Sequence, residues 1–263
     1  MSQTIRYPEI LSMARRDGRV TVDGLAAHFG VTVQTIRRDL AELAEQNKLE
    51  RVHGGAVLPS GVSNIGYEDR RALNEPAKAA MAAACAAEVP DGASIFINIG
   101  TSTEAVARAL LRHTNLLVVT NNMNVANILV ENPECEIVVA GGSLRRADGG
   151  LVGSLTMTAI ERFKVDYAVI GCSALEVDGD LLDFDLNEVS VSQSILRQAR
   201  QRFLVADHSK FQRTAPARIA SLAEIDVFFT DQPVAPSLQA RCAAWGTGVV
   251  VAPPSAATGE NAA

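Results

Sequence analysis

Residues 32–49 read TVQTIRRDLAELAEQNKL, a stretch that predicts an amphipathic helix capped by Thr32. Apolar side chains recur on one helical face: Val33, Ile36, Leu40 and Leu43. The side chains that turn away from it are polar or small: Gln34, Thr35, Arg37, Arg38 and Ala41. The acidic residues are expected to point sideways or to lie at the far end: Asp39, Glu42 and Glu45. Two guanidiniums, an amide and a hydroxyl on one face suit a helix in the DNA major groove, although a plain solvated helix face looks similar.

Further helices and a hairpin are predicted on either side of this stretch. The apolar positions of a first helix recur at helical spacing: Ile10, Leu11 and Ala14. Thr21 caps a second helix, which ends at Gly30 because glycine tolerates the left-handed turn. Two short strands flank the glycine turn at residues 53–55, which indicates a hairpin or wing. We expect Arg51 and His53 of this wing to lie near a duplex backbone.

These motifs resemble the N-terminal winged helix-turn-helix of the DeoR family of bacterial repressors. Helix spacing, the Thr-Ile-Arg-Arg-Asp-Leu core and the glycines of RVHGGAVLP follow in the family's order. The resemblance implies that Thr35, Arg37 and Arg38 belong to a recognition helix and that the partner is double-stranded operator DNA. The residues predicted to contact DNA are Thr32, Gln34, Thr35, Arg37, Arg38, Arg51 and His53.

From residue 94 onward, short apolar runs alternate with stretches of helical periodicity. The apolar runs are Ser94–Ile99, Leu116–Thr120, Glu136–Ala140, Tyr167–Gly171, Phe203–Ala206, Val227–Thr230 and Val249–Val251. Amphipathic stretches such as Glu104–Arg112 and Val125–Glu131 lie between several of them. The alternation predicts an α/β domain with a mainly parallel sheet.

Glycines, hydroxyls, amides and cations follow the predicted strands. They are Gly100, Thr101, Ser102, Thr103, Thr120, Asn121, Asn122, Gly141, Gly142, Arg145, Asp207, Ser209 and Lys210, together with the run Gly171-Cys172-Ser173. Ligands of open α/β sheets bind beyond the carboxyl ends of the strands, and a helix start favours an anion. Each motif alone is more often a turn or a cap, but their joint placement predicts a phosphate site.

The acidic stretch from Asp178 to Glu188 allows more than one interpretation. It lacks the longer spacing of a Ca²⁺ loop, so no metal site is predicted. It can be a loop followed by the capped start of a helix near Asn187. Alternatively, Asp183, Asp185 or Glu188 accepts hydrogen bonds from hydroxyls of a polyol-like ligand.

The C-terminal motifs IFINIGTSTEAVARAL, VVTNNMNVANIL, VVAGGSLRRADGGLVG and VADHSKF resemble the sensor domain of the same family. Within it, the chain looks most similar to members that control glycerol 3-phosphate use. This implies a repressor of a carbon-utilisation operon that a phosphorylated sugar or polyol, above all glycerol 3-phosphate, releases from its operator. The sensor fold of the family is similar to sugar-phosphate isomerases, so an isomerase-like enzyme with an accessory domain is the alternative.

One departure from the family pattern weakens that alternative. Many members carry a lysine a turn after the position of Glu188, but residues 189–194 hold no cation. An enolate-like intermediate would lack a stabilising charge there, and the ligand could lose a charged contact. No base–nucleophile pair or cofactor loop stands out either, so we predict no enzyme, no cofactor and no catalytic residue. Activation rather than repression remains open, since its sign depends on operator position.

Charge and composition divide the chain. Residues 1–58 hold 8 Lys+Arg and 7 Asp+Glu and so carry +1, whereas the remainder holds 16 and 23 and carries −7. Only the N-terminal part can therefore approach phosphates without strong repulsion. We predict a DNA-binding domain at 1–58, a linker at 59–74, an effector-sensing domain at 75–252 and a disordered tail at 253–263.

Four scattered cysteines and no membrane span predict a cytoplasmic protein. Paired half-sites on the DNA predict a homo-oligomer, either dimer or tetramer.

Overall fold

The computed structural model of the chain describes residues 3–17, 19–46, 48–52, 54–57 and 67–252. Its N-terminal module contains helices α1 (Gln3–Asp17), α2 (Val22–Phe29) and α3 (Val33–Glu45) and strands β1 (Arg19–Thr21), β2 (Glu50–Val52) and β3 (Gly55–Val57). The strands form an antiparallel sheet in the order β1-β3-β2. The predicted hairpin is therefore present, and β1 adds a third strand that the sequence pattern did not indicate.

Local side-chain and backbone preferences explain the ends of these helices. Thr21 and Thr32 accept hydrogen bonds from the amides of Gly24 and Thr35, as their predicted cap roles require. Gly30 ends α2 in the left-handed conformation at φ 62°. The apolar faces of all three helices meet in one core that includes Ile10, Leu25, Phe29, Ile36, Leu40 and Leu43.

Asp39 departs from its predicted position at the side of α3. Its carboxylate is fully buried and forms a double ion pair with Arg6 of α1, at 2.7 Å from Nε to Oδ2 and 3.1 Å from Nη2 to Oδ1. A charged residue on the edge of an apolar face can enter a core when a distant element supplies its partner. The prediction for Asp39 was wrong because helical spacing contains no information about α1.

The C-terminal domain is built on a seven-stranded sheet in which every adjacent pair is parallel. In spatial order its strands are β15 (Gly248–Val251), β14 (Val227–Thr230), β12 (Ala199–Val205), β9 (Val165–Ile170), β4 (Ser94–Ile97), β5 (Leu116–Thr120) and β6 (Cys135–Val139). All seven predicted apolar runs form these strands, which confirms the α/β class. The chain turns from β4 to β5 and β6 and returns on the other side of β4, so the strand order reverses between β4 and β9.

Helices cover both faces of this sheet. One core contains residues of α5 (Glu75–Ala87), α6 (Thr101–Ala109) and α7 (Met123–Leu129); the other contains residues of α8 (Ser154–Ile160), α9 (Leu186–Arg197) and α10 (Pro236–Trp245). Ile95 and Ile97 of β4 face the first core, whereas Phe96 faces the second. A short helix α4 (Tyr67–Ala72) precedes α5 and lies within the range predicted as a linker.

Short elements complete the domain. Strands β10 (Ala174–Leu175), β11 (Asp180–Asp183) and β13 (Ala217–Ser221) form an antiparallel sheet, and β7 (Ser143–Leu144) pairs with β8 (Leu151–Val152). Three 3₁₀ turns span Leu110–Arg112, His208–Gln212 and Leu222–Glu224. The acidic stretch thus contributes strand β11 and the cap of α9, where Asp185 accepts from the amide of Asn187.

Several predictions concern residues outside the described ranges. They are the contact of His53, the first half of the linker (59–66) and the tail at 253–263. Within the described ranges, no helix combines the length and apolar character needed to cross a bilayer, and no group of three His, Cys, Asp or Glu side chains could hold a metal ion. The four cysteines form no disulfide.

Candidate functional site

The outward face of α3 presents the predicted DNA-contacting side chains. Gln34, Arg37 and Arg38 are exposed, and Thr35 is half-buried with its hydroxyl 3.0 Å from that of Thr32. Arg38 also pairs with Glu42 at 3.0 Å, but its side chain is 77% exposed, so solvent screens this pair. The face therefore offers guanidinium and amide groups at little desolvation cost.

A groove of about 410 Å³ lies between α3 and the hairpin. Arg37 and Arg51 both line it, so two predicted contact residues from separate elements share one surface. Gly55 makes this arrangement possible, because a Cβ there would lie 1.9 Å from the carbonyl oxygen of Val20. Only glycine lets β3 approach β1 closely enough to hold the hairpin beside α3.

A second candidate site lies where the strand order reverses, beyond the carboxyl ends of β4, β9 and β12. We call it the strand-end cavity. It is lined by Arg70, Asn98, Ile99, Gly100, Thr101, Ser102, Gly171, Cys172, Ser173, Asp183, Glu188, Ser192 and Lys210. Its free volume is only about 30 Å³, which is room for about one water molecule.

Backbone geometry at the end of β4 shapes the floor of the cavity. The Asn98 side chain accepts from the amide of Ile99 and donates to the hydroxyl of Ser192 at 2.7 Å. Gly100 then turns the chain at φ 145°, a conformation that side chains rarely adopt, and α6 begins at Thr101. The first amides of α6 have no partner within the helix, so this helix start favours an anion at the cavity.

Buried cations gather on one side of the cavity. Lys210 and Lys78 are 9% and 5% exposed. Burial and the neighbouring Arg213 lower the pKa of Lys210 to about 8, and burial and Lys210 lower the pKa of Lys78 to about 7. Burial alone would raise the pKa of Asp207, but Lys210 and the hydrogen bonds from the Ser209 amide and the Asn74 side chain lower it to about 2. Cations therefore outnumber carboxylates here.

Three buried polar atoms near these cations have no hydrogen-bond partner within the described part of the chain: Arg70 Nε, Ser209 Oγ and Arg213 Nη1. Leaving such a group unpaired costs about 1–3 kcal/mol, and more for a charged group. An anion carries several strong acceptor oxygens and would reduce this cost. The cluster thus has the chemistry of a phosphate site.

The opposite wall of the cavity is acidic. Burial raises the pKa of Glu188 to about 7, and Asp183 adds to this rise, so that together they outweigh the nearby Arg145. Burial also raises the pKa of Asp183, although the Ser173 hydroxyl and the Phe184 amide act in the opposite direction. Between them, the two carboxyls can accept hydrogen bonds from ligand hydroxyls or donate one.

Arg145 does not line the cavity. Its guanidinium pairs with Asp148, with Glu188 and, at 2.9 Å, with Asp185. Burial would lower the pKa of Arg145, but hydrogen bonding to Asp148 and the charge of Glu188 raise it. Its charge is therefore largely used within the protein.

The predicted effector residues thus divide into two groups. Six of them line the cavity, namely Gly100, Thr101, Ser102, Asp183, Glu188 and Lys210, and so does the whole run Gly171-Cys172-Ser173. The others do not: Thr103, Thr120, Asn121, Asn122, Gly141, Gly142, Arg145, Asp207 and Ser209. Several of these support the loops, since Thr103 donates to the carbonyls of Asn98 and Gly100, and Thr120 to that of Ile97.

Sequence reasoning missed several residues at the cavity. They are the lining residues Arg70, Asn98 and Ser192 and the adjacent Asn74, Lys78 and Arg213. Asn98 could have been found, because it is a polar residue near the carboxyl end of the predicted strand Ser94–Ile99. Arg70, Asn74 and Lys78 precede the first strand of the sheet, so the rule about strand ends does not reach them.

A larger surface groove of about 650 Å³ lies beside α5 and α6. Arg71, Glu75 and Arg108 line it and are exposed, and the buried Lys78 lines it as well. Water already solvates the exposed charges, so the groove offers a ligand little electrostatic advantage. The strand-end cavity is the better candidate, because its charged groups are buried.

Comparisons with known proteins agree across both parts of the chain. The DeoR-like helix-turn-helix domain matches residues 6–62, and the DeoR C terminal sensor domain matches residues 73–232. The glycerol-3-phosphate regulon repressor of Escherichia coli is 45% identical over 233 residues, or 89% of this chain and 92% of that protein. That of Haemophilus influenzae is also 45% identical, over 88% of this chain and 90% of that protein. A second E. coli repressor, CsqR, is 40% identical over 90% of each chain.

Solved structures with related folds are more distant. Ribose 5-phosphate isomerase A of Methanocaldococcus jannaschii is 16% identical, with a TM-score of 0.40 over 52% of this chain and 55% of that one. The eIF2B beta subunit of Chaetomium thermophilum is 12% identical, with a TM-score of 0.44 over 75% of this chain and 54% of that one. Nothing about function rests on these likenesses.

Proposed function

The chain belongs to the DeoR family of DNA-binding transcriptional repressors, and we propose that glycerol 3-phosphate in the strand-end cavity releases it from its operator. Its relatives across nine-tenths of the chain are repressors, not enzymes. The isomerase alternative loses its support accordingly. The observation that carries the proposed effector is the cluster of buried, incompletely paired cations at the point where the strand order reverses.

Each part of the proposed effector has a matching wall. The phosphate accepts hydrogen bonds from the amides at the start of α6, where the helix dipole is positive, and pairs with the charged ammonium of Lys210. The glycerol hydroxyls form hydrogen bonds with the Asp183 and Glu188 carboxyls on the opposite wall of the cavity. A triol phosphate thus uses both the basic and the acidic side, whereas inorganic phosphate uses only one.

On DNA, α3 enters the major groove with Arg37 and Gln34 towards base edges. Arg51 on the hairpin contacts the sugar-phosphate backbone, since it shares a groove with Arg37. Two copies of the chain present two recognition helices to half-sites related by twofold symmetry, so we propose a dimer or tetramer.

The test is fluorescence anisotropy of a labelled fragment from the protein's own promoter region, at fixed salt because phosphate contacts make the affinity salt-dependent. Glycerol 3-phosphate is titrated into the complex, beside inorganic phosphate, fructose 1-phosphate and free glycerol. We expect release by glycerol 3-phosphate at concentrations at which free glycerol and inorganic phosphate have no effect.

Other outcomes distinguish the parts of the proposal. Release by fructose 1-phosphate alone would retain the phosphate site and refute glycerol 3-phosphate as the effector. Release by free glycerol at equal concentration would refute the phosphate site. Tight binding of DNA that none of the compounds weakens would refute the proposed control by a cavity ligand.

A further inference from the structure

Helix α4 joins the strand-end cavity to the chain segment that leads to the DNA-binding module. Only residues 58–66 separate α4 from β3 of that module. The hydroxyl of Tyr67, in the first turn of α4, donates to Glu104 at 2.9 Å and accepts from Asn124 at 3.0 Å. The backbone carbonyl of Arg70 accepts from Lys78, and the Arg70 side chain lines the cavity. The helix is therefore attached to the sensor domain at both Tyr67 and Arg70.

The Arg70 guanidinium lies between opposite sets of charges. Its Nη2 is 3.5 Å from Asp148, and Arg70 lowers the pKa of Glu188 and Asp183. It also lowers the pKa of Lys210 and Lys78, which shows that the cations are close enough to repel one another. Its Nε is buried and has no hydrogen-bond partner among the described residues.

The Asp148 contact can be exchanged at low cost. Asp148 keeps two bonds from Arg145, one to each carboxylate oxygen, if Arg70 leaves. An incoming phosphate would relieve the repulsion between Arg70 and the lysines and occupy the unpartnered Nε. The guanidinium therefore has a weak contact with Asp148 and could form a stronger one with a bound phosphate.

The cavity must also enlarge to admit an effector. Its free volume of about 30 Å³ is several times too small for a phosphorylated triol. Most walls of the cavity are formed by the ends of strands of the central sheet or of the helices that cover it. The packing of the two cores holds these elements in place. Six-residue α4 contributes no described residue to either core. The contacts of Tyr67 and of the Arg70 side chain, together with the hydrogen bond from Lys78 to the Arg70 carbonyl, hold it instead.

We propose that Arg70 is an effector-binding residue and that α4 moves with it. This movement of α4 couples effector binding in the cavity to the DNA-binding module. Phosphate draws the guanidinium from Asp148, and the displacement of α4 pulls on the segment that leads to β3. This rests on the proposed function, since it takes a phosphorylated effector of the strand-end cavity as given.

The experiment measures coupling between the two ligands in the full-length protein. Calorimetry gives the Kd of glycerol 3-phosphate without and with saturating operator fragment, and the ratio of these constants is the coupling. The variants are Arg70→Gln and Tyr67→Phe, which removes only the hydroxyl. Arg71→Gln is the matched control, since Arg71 is the exposed neighbour on the same helix. Circular dichroism checks that each variant is folded.

We expect a wild-type ratio of about tenfold or more. Arg70→Gln weakens effector binding to the free protein by about tenfold or more. Tyr67→Phe leaves that affinity within about threefold and lowers the ratio to below about three, because α4 loses its hydroxyl contacts at Tyr67 while the residues that line the cavity are unchanged. Arg71→Gln behaves as wild type.

If either Arg70→Gln or Tyr67→Phe keeps both wild-type values, the inference is overturned while the proposed function stands. If the wild-type protein neither binds glycerol 3-phosphate nor is released by it, the proposed function fails, and this inference fails with it.

Discussion

The recognition face of α3 and the strand-end cavity both depend on cationic side chains, but they hold them in opposite environments. Arg37 and Arg38 are exposed on a helix whose other face is core. Lys210 and Lys78 are buried beside other cations, and both have a lowered pKa. An exposed guanidinium costs the folded protein little stability, because water solvates it, and it is available to bind a highly charged polymer such as DNA. A buried ammonium is destabilising until a small anion arrives, so occupancy of the cavity changes the free energy of the domain itself.

The largest expected effect is on the N-terminal module. Asp39→Ala removes both ion-pair contacts that the carboxylate makes with the buried Arg6 guanidinium, and we expect a loss of about 3 kcal/mol of stability. Urea unfolding followed by far-UV circular dichroism measures it. Fluorescence of Trp245, the single tryptophan, reports separately on the C-terminal domain.

The exposed Arg16–Asp17 pair supplies the control for this variant. Asp17→Asn is expected to change stability by less than about 0.5 kcal/mol. If Asp39→Ala is as mild, the buried pair contributes no more than a solvated one. If the Trp245 transition moves as much as the circular dichroism, the effect does not belong to the N-terminal module.

The next effect is on the cavity. Lys210→Met removes a buried charge but keeps a side chain of similar length. We expect glycerol 3-phosphate to bind about 30-fold more weakly, a loss of about 2 kcal/mol of binding free energy. Operator binding without effector should be unchanged, as calorimetry and anisotropy together can show. Lys164→Met, an exposed lysine elsewhere in the domain, is the control. Equal losses in both variants would mean that the net charge of the domain, not the cavity, attracts the effector.

Arg37→Ala is expected to weaken operator binding by about 1–3 kcal/mol and to leave effector affinity and thermal stability unchanged. Arg16→Ala removes an exposed guanidinium from α1 of the same module and serves as the control. Anisotropy against the operator and a scrambled fragment separates base reading from phosphate attraction. A loss of the same size on both fragments would make Arg37 a backbone contact only.

The smallest effect is the pH dependence of effector binding. Bound phosphate raises the pKa of Lys210 from about 8, so a complex formed above pH 8 must take up a proton and its affinity falls as pH rises. The fall is at most about 1.4 kcal/mol per pH unit for one proton. Glu188, whose pKa is about 7, acts in the same direction by gaining negative charge. Calorimetry between pH 7 and pH 9 measures it, and Lys210→Met should flatten the part above pH 8.

A Lys210→Met curve that still falls steeply above pH 8 would contradict this assignment. A wild-type affinity that rises with pH would do so as well. Ionisation of the phosphate does not contribute to the fall above pH 8, because its second ionisation, near pH 6, is complete there.

Much of the fold followed from short-range patterns. The caps Thr21 and Thr32, the left-handed Gly30 and the seven strands each depend on a few neighbouring residues. The same is true of part of the cavity, because Gly100–Ser102 and Lys210 directly follow strands whose ends a parallel sheet brings together. Some predicted residues do not line the cavity because their polar side chains bind another part of the protein, as Asn121 does by donating to the carbonyl of Leu151 in β8.

The sequence by itself therefore determined the helices of the N-terminal module, the seven strands of the parallel sheet and the cationic face of α3, since helical and strand periodicity and capping act over a few residues. Only the tertiary structure decided which charges are buried and with which partners. Asp39 meets Arg6 across 33 residues, and Asn74 meets Asp207 across 133. The physical reason is that burying a charge is tolerable only when a partner from another element satisfies it, and no local pattern records where that partner lies.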